Sequence, residues 1–144
     1  MWAKYFVLLF FVIIFSSCKS SKQIFDPNKT KKEFLVFGVG GGFTGKILKY
    51  YITKDGSVYS HSGEEIKKIG FIQKGLTNQV FSNYNSLKMD KIILNEPGNK
   101  YFFIESHLND SNNKMTWGKE PLNNPNVETY FEILMNIVKV INNN

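Results

Sequence analysis

The chain has 144 residues, with 18 basic side chains, 12 acidic ones and a single cysteine. One cysteine excludes a disulfide-stapled scaffold, and the length fits one domain with a core of its own. All the basic residues are Lys, and five of them (Lys19, Lys22, Lys29, Lys31, Lys32) follow Cys18 and precede residue 33, leaving 12 Lys against 11 acids in residues 33–144. A nucleic-acid binder gathers cations on its folded surface, with Arg at base edges. A near-neutral, Arg-free domain argues against that class.

Lys4 is followed by eleven apolar residues, Tyr5 to Phe15, then Ser16-Ser17 and Cys18. A positive start, an apolar run of this length and small residues before a cut site are the needs of a secretory signal. A membrane-spanning helix needs about twenty such residues. Phe15-Ser16-Ser17-Cys18 resembles the lipobox of bacterial lipoproteins. That resemblance implies removal of residues 1–17, a diacylglyceryl group on the Cys18 thiol and acylation of the new amine with a fatty acid such as palmitate. Two or three acyl chains hold a protein on a bilayer with no help from its folded part. Residues 18–32 are then expected to be a lipidated flexible tether, polar and basic, with a turn at Asp26-Pro27-Asn28. Its lysines suit anionic headgroups. In similar Bacteroidetes-type lipoproteins an acidic run after the cysteine favours surface display. Lys19-Ser20-Ser21-Lys22-Gln23 has no acid, which implies the outer membrane facing the periplasm.

Residues 33–144 read as a single domain. Glu33-Phe34-Leu35-Val36-Phe37 is apolar on both faces, as in a strand covered on two sides. Gly38-Val39-Gly40-Gly41-Gly42-Phe43-Thr44-Gly45-Lys46 follows, and glycine's backbone freedom suits a tight or bulged connection there. Leu48, Tyr50 and Ile52 then alternate with Lys49, Tyr51 and Thr53, a strand pattern. Asp55-Gly56 is a two-residue hairpin turn signal, with Ser57 to His61 as the return strand.

The glycines come close to two nucleotide motifs. Gly40, Gly42 and Gly45 satisfy G-x-G-x-x-G, and Gly40 to Lys46 satisfies G-x-x-x-x-G-K. Both work only when a helix starts straight after the loop, since its first amides and dipole hold the phosphates. Here a strand follows, and Ile47 stands where the phosphate loop needs Ser or Thr. The expectation is no nucleotide and no cofactor. Gly40, Gly41, Gly42, Phe43, Thr44 and Gly45 are instead the candidate partner-binding loop. This stretch, with Tyr51, Asp55-Gly56, Trp117-Gly118 and the last helix, resembles small Bacteroidetes lipoproteins carrying an FGxGGGFTG stretch, a family that brings no known activity or catalytic residue.

Further on, Ile66, Ile69, Phe71 and Ile72 suggest another strand. Val80, Phe81, Tyr84 and Leu87 share one helical face, predicting a helix from Thr77, as N-cap, to Lys88. Ile92 to Leu94 reads as a short strand, Asn95-Glu96-Pro97-Gly98 as a turn, Lys100 to Leu108 as an aromatic-rich strand and Lys114 to Trp117 as its partner. Trp117 is more readily core than surface. Asn126 is the expected cap of a last helix with a broad apolar face, Val127, Tyr130, Phe131, Leu134, Ile137, Val138 and Ile141. The fold class expected is α+β, one antiparallel sheet of about five to six strands packed by two helices.

Candidate chemistry is thin. His61 and His107, with Glu64, Glu65, Glu105 and Asp110 near them in sequence, could form an acid–base or metal site only if the fold brings them together. No metal spacing or hydrolase nucleophile motif is present. The composite expectation is a cell-envelope lipoprotein anchored through Cys18, with a small non-catalytic domain that binds an envelope protein, peptide or glycan and no metal. An inhibitor of an envelope-degrading enzyme, presenting one protruding loop, is the alternative. A small envelope enzyme is the third.

Overall fold

The computed structural model describes residues 25–118 and 123–143, so the leader and Cys18 lie outside the described residues. Seven strands form one sheet: β1 (Phe34–Gly41), β2 (Leu48–Thr53), β3 (Ser57–Ser62), β4 (Glu65–Phe71), β5 (Asn95–Glu96), β6 (Lys100–His107) and β7 (Asn112–Trp117). Among the described residues two α-helices, α1 (Lys74–Ser86) and α2 (Pro125–Asn142), complete an α+β fold. The sheet order is β4-β3-β2-β1-β6-β7-β5. It is mixed and one or two strands larger than expected, because β5 pairs in parallel with β7. Asn95-Glu96, expected as a turn, is that short edge strand. Ile92 to Leu94, expected as a strand, leads into it from a 3₁₀ turn at Met89–Lys91.

Strand β1 is central and serves two cores. Leu35 and Phe37 point to the side covered by both helices, where they join Ile52, Ile104, Val80, Tyr84, Trp117 and Leu134. Phe34 and Val36 point to the opposite side and pack with Phe25, Tyr51 and Phe103. This is the two-sided burial that the unbroken apolar run predicts, and each fully buried side chain of this size contributes about 1.5–3 kcal/mol. Trp117 is core, stacked on Phe102 and edge-on to Phe131.

The helix boundaries differ from expectation at their starts. Thr77 lies inside α1, after Gln73 at the N-cap, and its hydroxyl donates back to the Ile72 and Gln73 carbonyls. Helix α2 is capped by Asn124, whose side chain accepts from the Val127 amide, with Pro125 in the first turn. Proline's fixed φ suits that position, and it moves the cap two residues before Asn126. Two buried tyrosines tie the helices together and to the sheet: Tyr84 donates to Ser106 Oγ at 2.8 Å and Tyr130 to the Val80 carbonyl at 2.9 Å.

The β2–β3 connection is also not the two-residue turn expected. Thr53 and Ser57 both belong to strands, so the loop is Lys54-Asp55-Gly56, closed by Gly56 N–H to the Thr53 carbonyl at 2.8 Å with Gly56 at φ +91°. A type I turn followed by a left-handed glycine is the usual three-residue solution. The Asp55 carboxylate organises it, accepting from the Thr53 hydroxyl at 2.6 Å, the Ser57 amide at 3.1 Å and Lys32 Nζ at 2.5 Å.

Through Lys32 this turn holds the segment that brings Phe25 onto the sheet. Phe25 stacks on Tyr59 with ring centres 4.3 Å apart and stands edge-on to Phe34 and Tyr51. The Asp26-Pro27-Asn28 turn is present, with the Asn28 amide on Asp26 Oδ1. Packing against the sheet thus already includes Phe25, within the stretch 18–32 expected as tether.

Within β1, glycine is required by neighbours. A Cβ on Gly38 would sit 2.0 Å from the Leu48 carbonyl oxygen. Gly38→Ala must displace backbone and is expected to cost about 2–4 kcal/mol in urea unfolding. Gly75→Ala, in α1 with open space around it, should be neutral or stabilise by up to about 1 kcal/mol. Asp55 gives a second test. Partial burial works to raise its pKa, but Lys32, Thr53 and Ser57 outweigh burial and hold the carboxyl well below its ordinary value. A depressed folded pKa gives stability that is complete above the unfolded value, about 3.9, and lost as pH falls below it. Wild-type urea midpoints should drop on acidification from about pH 5 to 2.5, and those of Asp55→Asn should drop less.

Candidate functional site

Gly40 and Gly41, expected in the partner-binding loop, are the last residues of β1, paired with Tyr101 and Lys100. A Cβ on Gly40 would meet the Tyr101 ring at 2.5 Å, so Tyr101 lies across the glycine and fills the space a side chain would take. Gly41, at φ +79°, approaches the Asn99 carbonyl too closely for any Cβ. The free loop therefore starts at Gly42, whose N–H donates to that carbonyl at 2.7 Å. Gly42 and Gly45 both have positive φ and are linked by an N–H to carbonyl bond of 3.2 Å, a tight turn around Phe43-Thr44. Phe43 is fully exposed at 106 %, and Ile47 and Leu48 follow at 41 % and 39 %. A phenyl ring held off the surface between two left-handed glycines is the least buried apolar group described.

Beside the loop is a cleft of about 470 Å³ lined by Lys46, Ile47, Lys49, His61, Ser62 and Gly63. Lys49 and His61 are directly opposite on β2 and β3, so their side chains leave the same side of the sheet. Among the described residues neither Lys46 nor Lys49 has an ion pair, while Glu65 is taken by Lys67 at 3.1 Å. A second cleft, about 500 Å³, lies where Val39 and Phe102 meet Phe131 and Met135 of α2. Trp117 and Phe131 form part of its wall but are almost wholly buried, which leaves little ring face for a ligand.

The histidines do not come together. His61 pairs with Lys49, which aligns with Gly38, whereas His107 pairs with Phe34. They are three strands and four residues apart, about 14 Å across the sheet and about 13 Å along it. Each has its own partner: His61 Nδ1 and the Tyr51 hydroxyl at 3.1 Å, His107 Nε2 and Glu105 Oε1 at 2.6 Å. Burial, then the Glu105 charge, pushes the Tyr51 phenol up, so it stays protonated in that bond. His107 stacks on Phe34 at 4.5 Å with 43 % of its side chain exposed on the open sheet face. Of the other candidates, Glu105 is shared with Lys114 at 3.6 Å and Asp110 lines a separate 310 Å³ cleft near Glu33 and Lys54. Among the described residues no three of His, Cys, Asp and Glu are grouped to hold a metal ion, and no helix is long and apolar enough to cross a membrane.

Neither the cleft lysines nor Phe25 stands out in the sequence. For Lys49 the signal lies in the turn: a two-residue Asp55-Gly56 connection would put His61 opposite Tyr50 on the helix side, and the three-residue loop puts it opposite Lys49. No protein-family model matches the chain, and no curated protein matches its sequence.

Because the two histidines act apart, His61→Gln and His107→Gln should have additive effects on unfolding free energy, within about 0.5 kcal/mol. A larger coupling in the double variant would show that they communicate.

Proposed function

We propose that the chain is a cell-envelope lipoprotein, anchored by lipid on Cys18 at the outer membrane and facing the periplasm, whose domain is a non-catalytic binding module. One observation carries the binding role: the fully exposed Phe43 ring, held out on the Gly42–Gly45 turn. An apolar side chain so placed adds nothing to the fold and is available to a partner. Separation of the two histidines removes the arrangement in which both would share a catalytic cleft. The leader, with its apolar run and Cys18, supports the anchor.

Intact mass of the membrane-extracted protein tests the anchor: residues 1–17 should be missing and Cys18 should carry diacylglyceryl, whereas an unmodified thiol sinks it. For the module, a photo-crosslinking amino acid at position 43 of the anchored chain should capture one envelope component. Phe43→Ser should no longer compete for that component while keeping the wild-type urea midpoint. If the protein instead inhibits a lysozyme-type or protease-type enzyme, and Phe43→Ser abolishes that inhibition, the loop is an inhibitory one.

A further inference from the structure

The glycine-loop end of the sheet combines two features that solvation alone does not require. Phe43 and Ile47 are exposed apolar groups within five consecutive positions, while Leu48 shares the helix side with Tyr50 and Ile52. Lys46 lies between them and Lys49 follows, facing His61 across the β2–β3 pair with Ser62 at the cleft wall. Lys49 and His61 stand directly opposite each other, and no carboxylate among the described residues is bonded to Lys46 or Lys49. The acids closest to His61 in sequence are Glu64 and Glu65, and Glu65 is paired with Lys67. Apolar groups at the tip with cations directly behind them match a lipid interface, where acyl chains lie beneath a layer of phosphates.

The geometry points to this end of the sheet as a contact site for the anionic phosphates of a phospholipid surface, with Phe43 entering the headgroup boundary and Lys46, Lys49 and His61 around a phosphate. This rests on the loop being the binding element, and names its partner. The chain's course permits it. Phe25 is fixed on Tyr51 and Tyr59, and Leu48, where the loop rejoins the sheet, is three residues from Tyr51, about 10 Å. Cys18 and Phe25 are seven positions apart and can be separated by at most about 24 Å of extended chain. A lipid on Cys18 and the Phe43 tip can therefore lie in one plane, and the loop contact would set how the anchored domain is oriented. The side of the sheet that carries Phe25, and not the helices, would turn toward the bilayer.

The test uses the full chain in vesicles whose acyl chains are brominated, with Phe43→Trp as the probe and the unsubstituted protein giving the background of Trp117 and, where the leader is retained, of Trp2. In vesicles with anionic lipid, emission from the indole introduced at position 43 should shift to the blue and be quenched. Purely zwitterionic vesicles, or Lys46→Glu with Lys49→Glu, should reduce the inserted fraction on the order of tenfold, and raised salt should act the same way. An indole that stays unquenched in anionic vesicles overturns the proposal. So does saturable binding of inorganic phosphate by Lys46 and Lys49 without quenching, which would leave a site for a free anion. If quenching fails but position 43 still captures an envelope protein that Phe43→Ser loses, the lipid assignment falls and the binding-loop reading stands.

Discussion

Everything in this fold hangs on how closely β1 lies against β2 and β6. Gly38, Gly40 and Gly41 are each set by what stands next to them, a carbonyl of β2, a ring of β6 and the carbonyl just ahead of β6. At its first half the strand is bulky on both sides, feeding Leu35 and Phe37 into the helix-covered core and Phe34 and Val36 into the aromatic cluster on the other side. At its second half it gives up most of its side chains, and Phe103 and Tyr101 lie over the vacated positions. The strand thus changes from a packing element to a surface on which others pack.

That change explains what can and cannot be read from the residues. The alternation of β2, the apolar face of α2 and the doubly buried start of β1 are legible because periodicity reports burial directly. The glycines are not, since a glycine in a crowded strand and a glycine in a free turn look alike in sequence. Gly38, Gly40 and Gly41 are the first kind, Gly42 and Gly45 the second. Similarly, Asp55-Gly56 announces a hairpin but not its length, and one extra residue decides which face every β3 side chain takes. Phe25 is hidden for another reason: a single aromatic in a polar, lysine-rich stretch has no pattern around it, and its burial depends on rings from β1, β2 and β3.

The two sides of the sheet divide the work differently. The helix side is closed by large residues, and among the described residues every buried polar side chain is answered: Tyr84 by Ser106, Tyr130 by the Val80 carbonyl, and Thr77 by carbonyls at the start of its own helix. Burial raises the Tyr84 and Tyr130 phenols, so both remain neutral donors at any ordinary pH. Such bonds cost about 1–3 kcal/mol to leave unmade, which fixes helix positions without offering reactive groups. The edges are blunted in the usual ways: β4 carries Lys67 and Lys68, and β5 is two residues long.

The other side holds aromatic rings, both histidines and the docked Phe25, and it is here that the segment from Phe25 to Lys32 ties in. Its two ends are secured by different physics, ring stacking on Tyr59 at one and the Lys32–Asp55 pair at the other. An exposed ion pair by itself contributes little, yet this one shares its carboxylate with Thr53 and Ser57, so the turn geometry is already set before Lys32 arrives. The incoming chain therefore meets a prepared site and is led across the helix-free side before the first strand begins. Any load on the chain ahead of Phe25 would reach the sheet through that ring and that carboxylate, on the side where Lys49 and His61 also stand. Placement of the entering chain and of the Lys49–His61 pair on one side of the domain follows from the register of β2 and β3, and so from the single extra residue in their turn.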